Sequence, residues 1–123
     1  MNFLYRLANT PLGRFLICLF FSKMSFLLPT KRLRETETLL AFHHPKPSYP
    51  VHILLMPKSE LANFQAIDAD DSAFRIDLVN TAQSLVDEFG LAEKGYRLIV
   101  NGGEYQDFPH LHFHLISDKS NVS

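Results

Sequence analysis

Cysteine is nearly missing from this chain: Cys18 stands alone among 123 residues. One thiol cannot build an intramolecular disulfide framework or a thiolate-rich structural zinc site, and a reducing, cytoplasmic setting is the simplest fit. An excess of one charge is missing too. Twelve Lys and Arg against thirteen Asp and Glu leave a formal net charge of -1 and a pI near 6.6. That balance gives no electrostatic footprint for a nucleic acid polymer and favours a small ligand. No uninterrupted apolar run reaches the roughly 20 residues that a membrane-spanning helix needs. The nearest approach, "RFLICLFFSKMSFLLP" at residues 14–29, is apolar from Phe15 to Phe21, is broken by Ser22 and Lys23, resumes at Met24 and is closed by Pro29. Internal repeats and low-complexity tracts are absent as well. One modest globular domain is expected, and a hydrophobic content of 46% supplies its core.

The chain divides into an N-terminal extension, residues 1–30, and a module over residues 31–123. In the extension Thr10-Pro11-Leu12-Gly13 reads as a turn followed by an apolar helix. Three placements stay open for that helix: packed on the domain or at a dimer contact, peripheral on a membrane surface through residues 14–29, or cleaved or spanning. Arg6 and Arg14 precede the apolar run as in a signal peptide, but no small-residue cleavage site follows it. In the module, "KRLRETETLLAFHH" alternates around Thr36–Phe42 and predicts a strand there, with a charged start that could also continue a helix. Pro45, Pro47 and Pro50 forbid regular structure until "VHILLMP", which reads as a largely buried strand with His52 as its one polar insertion. The best helix lies in "DADDSAFRIDLVNTAQSLVDEFGL". Acidic and capping residues from Asp68 to Ser72 mark its start, Gly90 its end, and Phe74, Leu78, Val79, Ala82, Leu85, Val86 and Phe89 its apolar stripe. "YRLIVN" and "HLHFHLIS" predict two more strands, joined by a connection short enough to make them antiparallel neighbours. The fold class is α+β: an antiparallel sheet with one long helix and an N-terminal helical extension.

"PHLHFHLI", residues 109–116, carries the chemistry. On a strand His110, His112 and His114 share one face while Leu111, Phe113 and Leu115 share the other. A single histidine here would be an ordinary surface residue; three in strict alternation argue for a bound ligand. One reading is a metal site. Same-face neighbours on a strand are about 6.6 Å apart and the outer pair about 13 Å, from a rise of roughly 3.3 Å per residue. Zinc–nitrogen bonds are only about 2.0–2.1 Å, so two adjacent rings could close on one ion but not all three without bending the strand. The other reading is phosphate chemistry. A neutral imidazole is a nucleophile, a protonated one donates to phosphate oxygens, and neighbours can divide those roles.

The run His110-Leu-His112-Phe-His114-Leu-Ile resembles, position by position, the signature of the histidine triad (HIT) family of nucleotide hydrolases and transferases. The resemblance extends over roughly residues 36–117. "LLAFHHPKPSYPVHILLMPK" is similar to the family's strand, proline-rich turn and strand, "GYRLIVNGG" to the strand that ends in its active-site asparagine, here Asn101, and Gln106 falls on a further family position.

This resemblance implies the HIT-type sheet and helix, no cofactor, and a homodimer formed through the helix and the strand ending at Asn101. It implies that His112 is a nucleophile toward the α-phosphorus of a nucleotide ester or phosphoramidate, giving a nucleotidyl-histidine that water hydrolyses. His114 would bond the phosphate oxygens, His110 and His52 would orient and support the nucleophile, and Asn101 and Gln106 would position phosphate and leaving group. Two positions depart from the pattern. His44 stands where many members carry an aspartate for the ribose hydroxyls, and an imidazole cannot accept that pair of hydrogen bonds. Asp107 stands where a small hydroxyl residue is frequent, and a carboxylate there should repel phosphate unless protonated or turned away. The connecting loop is also shorter than in typical members, and little chain follows Ile116. A binding module that holds a nucleotide or partner without turnover is the alternative to an enzyme.

Overall fold

A computed structural model describes residues 32–119 of the chain. The N-terminal apolar segment, with its predicted helix and its membrane alternatives, lies outside the described residues. Five strands form one antiparallel sheet: β1 (Arg32–Glu35), β2 (Leu39–His43), β3 (Val51–Pro57), β4 (Arg97–Val100) and β5 (Phe113–Ser117), in the spatial order β1-β2-β3-β5-β4. A 17-residue helix, α1 (Ser72–Glu88), packs on the sheet, followed by a single turn, α2 (Leu91–Lys94).

The central position of β3 follows from its composition. All seven residues are buried, as an almost unbroken apolar run requires when both neighbours and both faces are covered. Leu39, Ala41, Val51, Ile53, Leu55, Phe113 and Leu115 join Phe74, Ala82, Leu85 and Val86 of α1 in one core. Strand alternation sends the intervening side chains, His52 and His114 among them, to the opposite face. The helix therefore covers one side of the sheet and the imidazoles occupy the other.

Helix α1 begins where Asp71 caps it, its carboxylate accepting from the Phe74 amide at 3.1 Å. It ends at Gly90, whose φ of 65° is the left-handed conformation that favours glycine. Its stripe departs from expectation at one position: Val79 is 54% exposed, like Ile76 at 57%. Val79 follows the half-buried Leu78 by about 100° around the helix axis, enough to carry it off the buried face.

Three boundaries differ from those predicted. The segment around Thr36–Phe42 is not one strand but a hairpin, β1 and β2, turning at Thr36–Thr38. The Thr36 hydroxyl accepts from the Thr38 amide at 3.1 Å, a local bond that competes with the ladder, and the Thr36 amide donates to Leu39 O at 2.9 Å. Thr38 then donates its hydroxyl to Asp77 of α1 at 2.7 Å, and Arg34 of β1 bonds Ser84 and Glu88 at 3.1 and 2.6 Å, so the hairpin is tied to the helix. The last strand starts at Phe113 rather than His110. The His110 amide donates to Phe108 O and the Leu111 amide to Leu61 O, both at 2.8 Å, so these residues are committed to loop partners instead of the sheet. The turn α2, too short to show in the periodicity, buries Leu91 before β4 begins.

Candidate active site

Five of the six histidines converge on the sheet face opposite α1. The proline-rich turn from β2 to β3 doubles back on itself: the His44 amide donates to His52 O at 2.8 Å, and the Ser48 amide donates to His52 Nδ1 at 3.1 Å. Across to β5, His52 Nε2 lies 3.0 Å from His114 Nδ1. These two bonds fix the tautomers of the neutral rings. His52 Nδ1 accepts, so its proton is on Nε2; His114 Nδ1 accepts that proton's bond, so His114 carries its own proton on Nε2. The register explains the approach, because His52 pairs with Ile116 and His114 with Leu54, placing the two histidines diagonally on one face.

His112 is fixed differently. Its Nδ1 donates to the His110 carbonyl at 2.7 Å, which leaves Nε2 as the atom with the available lone pair. The ring is buried and stands edge-on to His114 with centroids 5.2 Å apart. His110, also buried, reaches Pro57 O with Nε2 at 3.3 Å and so braces the approach to β5 against the end of β3. The side-chain alternation of the triad survives the loss of ladder bonds, since Leu111 and Phe113 still enter the core.

His44 belongs to the same assembly. Its ring lies over His52 at 4.3 Å and parallel to His114 at 6.3 Å, while its Nδ1 accepts from the Lys46 amide at 2.9 Å. Burial, then repulsion from His114 and His112, lowers the His44 pKa to about 4. Burial, then His44, does the same for His52, and burial, then His112 and His52, for His114. Burial is also the main cause that lowers His110. A row of neutral imidazoles results, each with its proton assigned by a neighbour. His43 stays outside the site, exposed, with its ring edge-on to Phe89.

The remaining predicted positions take distinct places. Asp107 brings Oδ1 to 3.9 Å from His112 Nε2, with its side chain 73% exposed at the mouth of the site. Asn101 is half-buried immediately after β4. Gln106 donates its amide to Ala62 O at 2.8 Å and to Phe108 O at 2.9 Å. In this arrangement both amide hydrogens are used to hold the loop, which leaves the side chain an acceptor and no further donor. Sequence reasoning missed the backbone groups that orient the rings, the Ser48 amide and the His110 and Pro57 carbonyls. The only hint of the first was the proline spacing, which brackets a turn ending at His52. Tyr49, edge-on to His52 at 5.5 Å, was missed as well.

The Ser48 amide and the bond between His52 and His114 engage three ring nitrogens with protein partners, His52 Nδ1, His52 Nε2 and His114 Nδ1. Among the described residues no group of three His, Cys, Asp or Glu side chains is disposed to hold an ion.

Comparison with known proteins agrees with this geometry. A 34% identical HIT-like protein of Chlamydia pneumoniae aligns over 95 residues, 76% of this chain and 86% of the relative. A 13.2 kDa HIT-like protein of Azospirillum brasilense is 36% identical over 95 residues, 75% of this chain and 78% of its own. The crystal structure of a HIT family hydrolase from Legionella pneumophila superposes with a TM-score of 0.73 at 31% identity, covering 84% of this chain and 94% of that one. A HIT family hydrolase from Clostridium thermocellum gives 0.70 at 35% identity, covering 82% and 87%. The HIT domain matches residues 26–121, and with the triad assembled on the face where its signature predicts it, the chain belongs to the histidine triad (HIT) family.

Proposed function

We propose that this protein is a nucleotide hydrolase or transferase that attacks the α-phosphorus of a nucleoside phosphoramidate or related nucleotide. The observation that carries the reading is the tautomer of His112: its Nδ1 proton is committed to the His110 carbonyl, so Nε2 presents a lone pair beside the ring of His114. In the first step the Nε2 lone pair forms a bond to phosphorus, the phosphorus–nitrogen bond breaks, and the leaving amine takes the electron pair and a proton from solvent. In the second, water adds to phosphorus and gives a proton to solvent, the bond to Nε2 breaks, and the nucleoside monophosphate leaves with the His112 lone pair restored. His114 donates its Nε2 proton in a hydrogen bond to a phosphate oxygen, where charge develops, and His52 holds that proton on the correct nitrogen. His110 braces the strand, Asn101 positions the phosphate, and Gln106 acts through the loop it anchors.

Hydrolase-named neighbours support the reaction class. A homodimer is part of the proposal. It is supported by β4, an edge strand with Leu98 44% exposed, and by Ile76 and Val79, which α1 leaves exposed. The test is steady release of AMP from adenosine 5′-phosphoramidate, with rapid-quench trapping of a labelled nucleotidyl adduct on His112. Binding of AMP without turnover or adduct would replace the enzyme with a binding module, the reading that Asp107 beside Nε2 favours.

A further inference from the structure

The carboxylate of Asp107 lies close to the nitrogen that the proposed reaction uses as its nucleophile. An attacking nitrogen and its phosphorus are about 3–3.5 Å apart before reaction, and Asp107 Oδ1 is 3.9 Å from that nitrogen. The side chain is 73% exposed and can rotate aside. Its backbone cannot follow freely, because the neighbouring Gln106 is bonded to Ala62 O and Phe108 O. The negative charge therefore stays at the mouth whichever way the carboxylate turns. Among the described residues no lysine or arginine side chain pairs with Asp107 or bonds His112 or His114. Among the described residues, the groups beside the His112 ring include a neutral donor, His114, and a carboxylate, Asp107.

We infer that Asp107 sets the charge of the acceptable leaving group, selecting against nucleotides with a second phosphate beside the attacked one and for phosphoramidates whose leaving amine bears a positive charge. This rests on the nucleotidyl-transfer reading above and adds the substrate class that the triad alone leaves open. One added charge at roughly 6 Å, with an effective dielectric between that of a protein surface and water, changes affinity on the order of tenfold.

Two measurements on the full chain and its Asp107→Asn variant test the inference. The first is equilibrium binding of AMP and ADP, which needs no turnover. The native chain should bind ADP about tenfold more weakly than AMP, and Asp107→Asn should bring the two within about threefold. The second compares kcat/KM for adenosine 5′-phosphoramidates of propylamine and of ethylenediamine, nearly isosteric leaving groups that differ in one ammonium. The native chain should favour ethylenediamine several-fold, and the variant should not. General damage to the site would lower all four values together, whereas the inference requires one ratio to rise and the other to fall. Ratios that are the same in both proteins overturn it. If neither phosphoramidate is turned over but the ADP discrimination depends on Asp107, the catalytic reading fails and the charge selection stands.

Discussion

Acid should unfold this protein through its active-site imidazoles before its carboxylates are titrated. His44, His52 and His114 have their pKa values lowered from 6.5 to about 4 in the folded chain. As pH falls through 6.5 the unfolded chain takes up protons and the folded one does not, so stability is greatest above 6.5, declines through the window between 6.5 and about 4, and levels off below it. At pH 5 a single fully shielded ring with that shift would cost about 2 kcal/mol, from 1.4 kcal/mol per pKa unit. His44 and His114 are only half-buried and the rings share one another's repulsion, so about half that is retained, roughly 1 kcal/mol each and 2 to 3 kcal/mol for the group. For a domain of this size that lowers Tm by about 10 °C. The assay is thermal unfolding at pH 7.5 and 5.0, paired with long-range nitrogen–proton NMR of the imidazoles. The spectra should show His52 and His114 protonated on Nε2 alone at both pH values, and His44→Asn should reduce the acid loss by about a third. A Tm unchanged between pH 7.5 and 5.0, or rings of His52 and His114 that titrate above pH 6, would refute the arrangement of neutral, mutually bonded imidazoles.

Replacing His112 with Ala should abolish the covalent adduct and lower turnover by about 10⁴-fold or more, with AMP binding retained, as checked by rapid quench and calorimetry. His114→Ala should cost less, on the order of 100-fold to 1,000-fold in kcat, the loss of one transition-state donor. Gln106→Ala removes two bonds that hold the loop and should cost about 1 to 2 kcal/mol in denaturant unfolding. A larger drop in kcat/KM than in stability would follow from the altered position of Asp107. Chelator treatment should leave the turnover of adenosine 5′-phosphoramidate unchanged, because the proposed steps use imidazoles alone as nucleophile and donor; a loss restored by zinc would contradict this.

What could be read from the sequence was whatever repeats or punctuates. The apolar run of β3, the Asp71 cap and the Gly90 stop announce themselves within a few residues, and the alternation of "HLHFH" already separates a reactive face from a core face. The hairpin at Thr36–Thr38 did not show, because a threonine hydroxyl bonding the amide two residues on leaves no mark on hydrophobic periodicity. Nor did the late start of β5. Which partner an amide chooses, Leu61 O for Leu111, is a tertiary fact. The same limit applies to Gln106, where the residue type is compatible with a ligand but the fold supplies two backbone carbonyls first. Of the site, the identities of the imidazoles were legible and their proton positions were not, since Ser48 N–H, His110 O and His114 Nδ1 set those across gaps of up to 62 residues.

The histidine signature straddles a mechanical boundary. His114 stands in the ladder, held by neighbours on both sides, whereas His110 and His112 stand on a stretch fastened by a few amide bonds to Phe108 and Leu61. The proposed donor thus shares the stiffness of the sheet and the proposed nucleophile shares that of the loop. Changes at positions 61–62 and 106–109 can therefore retune the distance between nucleophile and donor at little expense to the sheet. On the proposed mechanism, reactivity and stability would be separately adjustable in this chain.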